Sequence, residues 1–405
     1  MFIILKELIV RILSLLLSLL SLVNISAPCV PPEKPEYNTE YAHVLVHGLM
    51  GWGSGSYDFY YDAMPYWGML GGDAVEKLRC AGFECYAASV APTGSAWDRA
   101  CELYAQLTGT RVDYGKAHSE KYGHERYGTD YTGRPLMAKE WNAENKINLY
   151  GHSFGGVTVR LLAELMQNGS EEERAATAGD SLSELFTGGK GDWIYSITAL
   201  TAPHNGTSAY ESEQWAPMSE DAVRAELEKV YSKLDITVAM FNFFVGMHSD
   251  ENGAIRPDNA HYDLRIDNAI ALNESISTLP DVYYFSYAAC ATKADENGNH
   301  VPTAGEIEPM FYTRSIGIGK NTFVTEAGHV IDEKWLPNDG LVNTYSALAP
   351  LNAPQVEYNA DNVQKGVWNV MPIFDGDHTA FMGDLLFVRD IVPFFEELFT
   401  MINML

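Results

Sequence analysis

The chain has 405 residues, 46% hydrophobic and 20% charged, which supplies a sizeable core and excludes a disordered or collagen-like chain. Lys and Arg number 27 against 54 Asp and Glu, a formal net charge of −27 with no basic run to offset it locally. Such a surface repels phosphate backbones, so nucleic-acid binding is excluded from the readings, and nothing in the sequence points to a protein partner.

Residues 1–27 are a different material from the rest. Lys6 and Arg11 precede an apolar stretch broken only by Ser14, Ser18 and Ser21, the pattern of a secretory signal peptide cleaved near residues 24–27. An uncleaved anchor is the alternative, and the stretch is short for one. No later segment is long and apolar enough to cross a bilayer. Five cysteines are too few for a disulfide scaffold, although in an exported chain Cys80 and Cys85 could be bridged.

Residues 28–405 read as a single α/β catalytic domain. Short β-rich runs at 41–46, 85–90, 146–150, 193–200 and 282–287 alternate with helical patterns, the clearest at 157–167, where Val157, Leu161, Leu162, Leu165 and Met166 share a face. That alternation predicts a mostly parallel sheet covered by helices on both faces. Two segments interrupt it and read as insertions: 98–141, rich in Tyr, His and Gly, and 208–261, which contains a helical pattern at 219–234 and an apolar run at 236–247. The second insertion has the character of a lid, with core packing as the plainer account.

Gly151-His152-Ser153-Phe154-Gly155 is a G-x-S-x-G motif set between a predicted strand and a predicted helix. A tight strand-to-helix turn lifts a serine oxygen above the sheet at a helix N-terminus, where developing negative charge is favoured. The competing account, a phosphate-binding loop, lacks the lysine it needs. An elbow serine requires an acid and then a histidine downstream. His378 lies in a turn-rich loop near the C-terminus, and Asp339 in Asn338-Asp339-Gly340 could hold its imidazole. Asp339 is equally readable as an ordinary Asp-Gly turn, while Asp375 and Asp377 sit too near His378 to orient it easily. The oxyanion hole is expected from the backbone N–H of Phe154 and that of Leu49, which follows the strand-to-loop run Val44-Leu45-Val46-His47-Gly48. His47 is read as a prop for that loop, because it precedes the serine.

These motifs resemble the zinc-containing thermoalkalophilic lipases of bacilli and their staphylococcal relatives, within the α/β-hydrolase superfamily. The matching blocks include residues 47–53, Tyr66-Trp67-Gly68, residues 97–102, Val112-Asp113-Tyr114-Gly115, residues 203–207, residues 335–344 and residues 365–369. The resemblance spans 44–383 and implies Ser153, Asp339 and His378 as the triad, with Leu49 and Phe154 as the oxyanion hole. It also implies a structural Zn2+ held by Asp98, His118, His124 and, through a Leu-Asp pair, Asp235; four protein ligands leave no open position. Relatives bind calcium just after the catalytic histidine, but Ala380 stands where their glutamate does. Asp384 alone leaves too few oxygens for a calcium ion. The function implied is a secreted triacylglycerol lipase working at a lipid–water interface. A short-chain carboxylesterase or an acyltransferase would use the same triad, a binding protein on a hydrolase fold would not need it, and a zinc hydrolase would need an open ligand set that is not present.

Overall fold

The computed structural model describes residues 35–54, 61–62, 64–211, 255–384 and 387–405. The expected signal peptide and most of the lid-like segment, including its helical and apolar runs, lie outside the described residues.

Seven strands form the central sheet: β1 (Ala42–Val46), β2 (Cys85–Ala88), β3 (Ile147–His152), β4 (Ile194–Leu200), β5 (Tyr283–Tyr287), β6 (Gln355–Glu357) and β7 (Trp368–Val370). Their order is β6-β7-β5-β4-β3-β1-β2, and every neighbouring pair is parallel. A parallel sheet is buried on both faces, and the strands carry apolar side chains at consecutive positions accordingly. Alternation then assigns them to two cores. Val44, Val46, Leu149 and Ile197 pack with helices α2 (Ala96–Thr108) and α3 (Phe154–Asn168) on one face. Leu45, Ala87, Tyr150 and Phe285 pack on the other face with α1 (Ala74–Cys80) and α5 (Val392–Asn403), α4 being Ile266–Glu274.

Two expectations change. The segment 98–141 is not an insertion from its start: Asp98 sits in the first turn of α2, which Ser95 caps and whose buried face packs against α3. Only the antiparallel pair Arg111–Asp113 and Tyr127–Asp130, with the short helix Lys116–Tyr122 between them, stands off the sheet. Nor are Cys80 and Cys85 bridged. Cys85 is a free, buried thiol on β2, and its Sγ points to the Val75 carbonyl at 3.5 Å, while Cys80 is disulfide-bonded elsewhere.

Candidate active site

The carboxyl ends of β1, β3 and β4 and the loops after β5 and β7 converge over α3. At the end of β3, Ser153 takes φ +54° and ψ −127°, a strained conformation for a residue with a side chain, and α3 begins at the next residue. The flanking glycines are required by contact: a Cβ on Gly155 would strike the Val46 carbonyl oxygen, and one on Gly151 the Gly155 carbonyl carbon.

His378 Nε2 lies 2.8 Å from Ser153 Oγ, and its Nδ1 lies 2.8 Å from Asp339 Oδ2. Asp339 is buried, and its second oxygen accepts the Leu341 and Val342 amides at 2.9 and 2.7 Å. The Asp-Gly turn is therefore also a cradle that fixes the carboxylate plane. Asp377 is engaged elsewhere: one oxygen accepts the Glu308 amide at 2.6 Å, the other the Thr379 amide and hydroxyl at 2.9 and 2.7 Å. Asp375 is exposed on the edge of a short bridge.

Two further histidines brace the site. Val90 N–H donates to His47 Nε2 at 3.1 Å, so the proton is on Nδ1, which donates to the Gly48 carbonyl at 2.9 Å. Burial, aided by Arg99, lowers its pKa to about 3, leaving a neutral prop of the kind expected. His152 is likewise lowered to about 3 by burial and by His378. Its Nε2–H donates to the His378 carbonyl at 2.8 Å, and its Nδ1 accepts from Tyr66 at 2.6 Å. The Tyr66 oxygen in turn accepts the Gly48 amide at 3.0 Å.

A cavity of about 360 Å³ opens over Ser153 and His378. Leu49, Met50, Trp52, Met64, Met382 and Phe311 are among its walls, so it is mainly apolar, with Tyr210, His261 and Arg314 among its polar lining.

A second cluster lies at the start of α2. One ligand atom each from Asp98, His118, His124 and Asp258 falls within 4.8 Å of the others. His118 Nε2 is 3.3 Å from Asp98 Oδ1 and 3.1 Å from Asp258 Oδ1, and His124 Nε2 is 3.3 Å from Asp258 Oδ2. Asp98 Oδ1, both Nε2 atoms and Asp258 Oδ1 are buried without a properly formed hydrogen bond. Such unsatisfied atoms aimed at one point fit a metal ion. His124 Nδ1 lies 2.9 Å from the Glu125 carbonyl, an acceptor that keeps the proton on Nδ1 and leaves the Nε2 lone pair facing the cluster. Desolvation opposes charge on His118, yet Asp258 and Asp98 carry its pKa up to about 9. The fourth member of this cluster among the described residues is Asp258; Asp235, expected from the Leu-Asp pair, lies outside the described residues. Asp258 sits at φ +64° between Pro257 and Asn259, which caps the helix Ala260–Asp263. That Pro-Asp-Asn turn at the far end of the lid-like segment was the available signal, and the segment's length obscured it.

The strand order and the placement of the serine turn define an α/β hydrolase. A family model described as "Lipase-like, C-terminal domain" matches residues 39–402, and the chain belongs to that family. It is 35% identical to Lipase 2 of Staphylococcus aureus over 362 residues, covering 85% of this chain and 50% of that protein. It therefore spans about half the length of the curated relatives it matches. Among solved structures, EstA from Clostridium botulinum is similar with TM-score 0.74 and 33% identity, covering 93% of this chain and 92% of that one. Staphylococcus hyicus lipase is similar with TM-score 0.71 and 30% identity, covering 92% and 98%. The staphylococcal resemblance read from the motifs holds.

Proposed function

We propose that the chain is a serine ester hydrolase, a lipase acting on triacylglycerols through an acyl-enzyme on Ser153. The observation that supports it best is the unbroken chain Ser153–His378–Asp339, with 2.8 Å at each link, opening onto an apolar cavity. His378 Nε2 takes the proton as Ser153 Oγ attacks the acyl carbonyl, and Asp339 holds the tautomer and steadies the imidazolium. The negative oxygen forms at the helix N-terminus, where the Phe154 and Leu49 amides receive it; neither amide donates to a backbone acceptor among the described residues. The imidazolium then protonates the leaving alcohol, and the same nitrogen activates the water that releases the fatty acid.

Asp98, His118, His124 and Asp258 would hold one Zn2+. Four protein ligands give it a structural task, tying α2 to the start of the helix Ala260–Asp263. Read as a signal peptide, residues 1–27 would carry the enzyme out of the cell to meet lipid at an interface.

The test is hydrolysis of p-nitrophenyl esters from acetate to palmitate together with emulsified triolein, for the wild type and Ser153→Ala. The reading expects activity on long chains and on triolein, and a loss of several orders of magnitude in the variant. Activity confined to the shortest soluble esters would replace the lipase by a carboxylesterase. A tenth of wild-type activity surviving in a folded Ser153→Ala would remove the nucleophile.

A further inference from the structure

Arg99, one residue after the cluster member Asp98, is fully buried; the Glu102 carboxylate acts on it electrostatically, but no carboxylate of the described residues forms an ion pair with it. Taking a guanidinium out of water is costly, and an apolar residue of similar volume would fill the same space without that penalty. Its donors go instead to oxygen atoms around the proposed oxyanion hole. Nη2 donates to the His47 carbonyl, while Nη1 donates to the Ala91 carbonyl at 2.9 Å and reaches the Gly48 carbonyl at 3.4 Å. Nε donates to Thr158 Oγ1 at 2.9 Å, and that hydroxyl donates to the Phe154 carbonyl at 3.1 Å. The guanidinium carbon stands 5.2 Å from the centroid of the Phe154 ring.

The Gly48 carbonyl and the Leu49 N–H belong to one peptide unit, which is planar and trans, so they point in opposite directions. A cation that holds the His47 and Gly48 carbonyls on its own side turns the Leu49 N–H away from itself, toward the cavity that Leu49 lines. The same side chain braces Phe154 through Thr158 and through its ring. Two hydrogen-bond donors from segments about a hundred residues apart are thus referenced to one rigid, five-donor group.

We propose that Arg99 is a positioning residue that sets the orientation of both oxyanion-hole amides, Leu49 and Phe154. This rests on Ser153 being the nucleophile, which the Ser153→Ala control tests separately. Loss of activity in Ser153→Ala with no effect at Arg99 overturns the positioning role alone.

Arg99→Lys keeps the charge, but its donors sit on a single nitrogen that cannot span the two loop carbonyls and Thr158 together. A long-chain p-nitrophenyl phosphonate, left to react to completion, counts competent Ser153, and kcat is expressed per counted site. Losing one oxyanion donor outright lowers kcat by about 10²–10³, so misaiming the pair is expected to lower it roughly 10- to 100-fold. KM should stay within about twofold, and the pH profile of kcat should keep its shape, because neither the cavity nor the triad is altered. A merely structural arginine would reduce the count of competent sites and leave kcat per site unchanged; that result overturns the proposal. Thr158→Val, which removes the Nε acceptor and the hydroxyl on Phe154, is the second arm and is expected to lower kcat per site several-fold. Should Arg99→Lys fail to fold, an unchanged kcat per site in Thr158→Val overturns the proposal by itself.

Discussion

His152 Nε2–H donates to the backbone carbonyl of His378 at 2.8 Å, so the residue before Ser153 anchors the backbone of the histidine that faces it. The same ring accepts from Tyr66, whose oxygen accepts the Gly48 amide, and a single buried line links the loop of Leu49 to His378. Tyr66→Phe cuts that line at its middle and leaves the Gly48 N–H and His152 Nδ1 without their partner. A buried polar group so stranded costs about 1–3 kcal/mol. The variant is expected to melt several degrees lower and to lose roughly tenfold in kcat, with KM for p-nitrophenyl butyrate nearly unchanged. Unchanged kcat with a lowered melting temperature would confine Tyr66 to stability.

The site was legible in the sequence where chemistry is local or ordered along the chain. Ser153 announces itself through glycines that a tight turn requires, and Asp339 and His378 follow from the order of an elbow hydrolase together with the staphylococcal resemblance. The first five strands were legible because they are apolar on both faces. The last two were not: Gln355–Glu357 is short, mostly exposed and polar, and Trp368–Val370 carries only three residues. Arg99 and Tyr66 were illegible as braces, because their partners lie many residues away and nothing in the sequence marks a buried arginine as a clamp on carbonyls. Asp258 was not legible as a cluster member for a similar reason, since its place depends on how a long segment returns to α2.

Gly155→Ala probes the elbow's tolerance. The new Cβ would meet the Val46 carbonyl oxygen, an atom of the central sheet that cannot withdraw without breaking β1 from its neighbours. Overpacking of this kind typically costs about 1–3 kcal/mol, and here it also shifts Ser153. The expected result is a lower urea midpoint and loss of most ester hydrolysis. Full activity would show that β1 yields more readily than its pairing implies.

The Asp377 carboxyl titrates unusually. Burial raises it to about 6, against the Glu308 and Thr379 donors that favour its charged form. The unfolded value is about 4, so between the two the folded chain holds more protons than the unfolded one. Stability from this group therefore falls as pH rises from about 4 to about 6 and levels above that. Unfolding free energies of the wild type and Asp377→Asn from urea titrations should accordingly diverge by up to about 2–3 kcal/mol across that window, with the wild type favoured at the acidic end. Parallel curves for the two proteins from pH 4 to 7 would place the raised titration elsewhere.

Metal content decides the cluster at the start of α2. The four ligand atoms are buried, face one another and lack good hydrogen bonds, so the two carboxylates crowd together unless a cation, a metal ion or the His118 proton, sits between them. Protein purified without chelator is expected to carry about one zinc per chain by elemental analysis. Binding to the folded state alone stabilises by RT ln(1 + [Zn]/Kd), about 4 kcal/mol at a thousandfold excess over Kd, so chelation should lower the melting temperature by several degrees. The triad does not use the ion, and hydrolysis of p-nitrophenyl butyrate at low temperature should survive chelation better than the melting temperature does. Ligand identity is read from variants: Asp258→Ala and the His118→Ala, His124→Ala pair should each lose the metal, whereas Asp235→Ala should keep it. Loss of zinc from Asp235→Ala with retention in Asp258→Ala would restore the Leu-Asp pair as the fourth ligand and leave Asp258 a neighbour of the site.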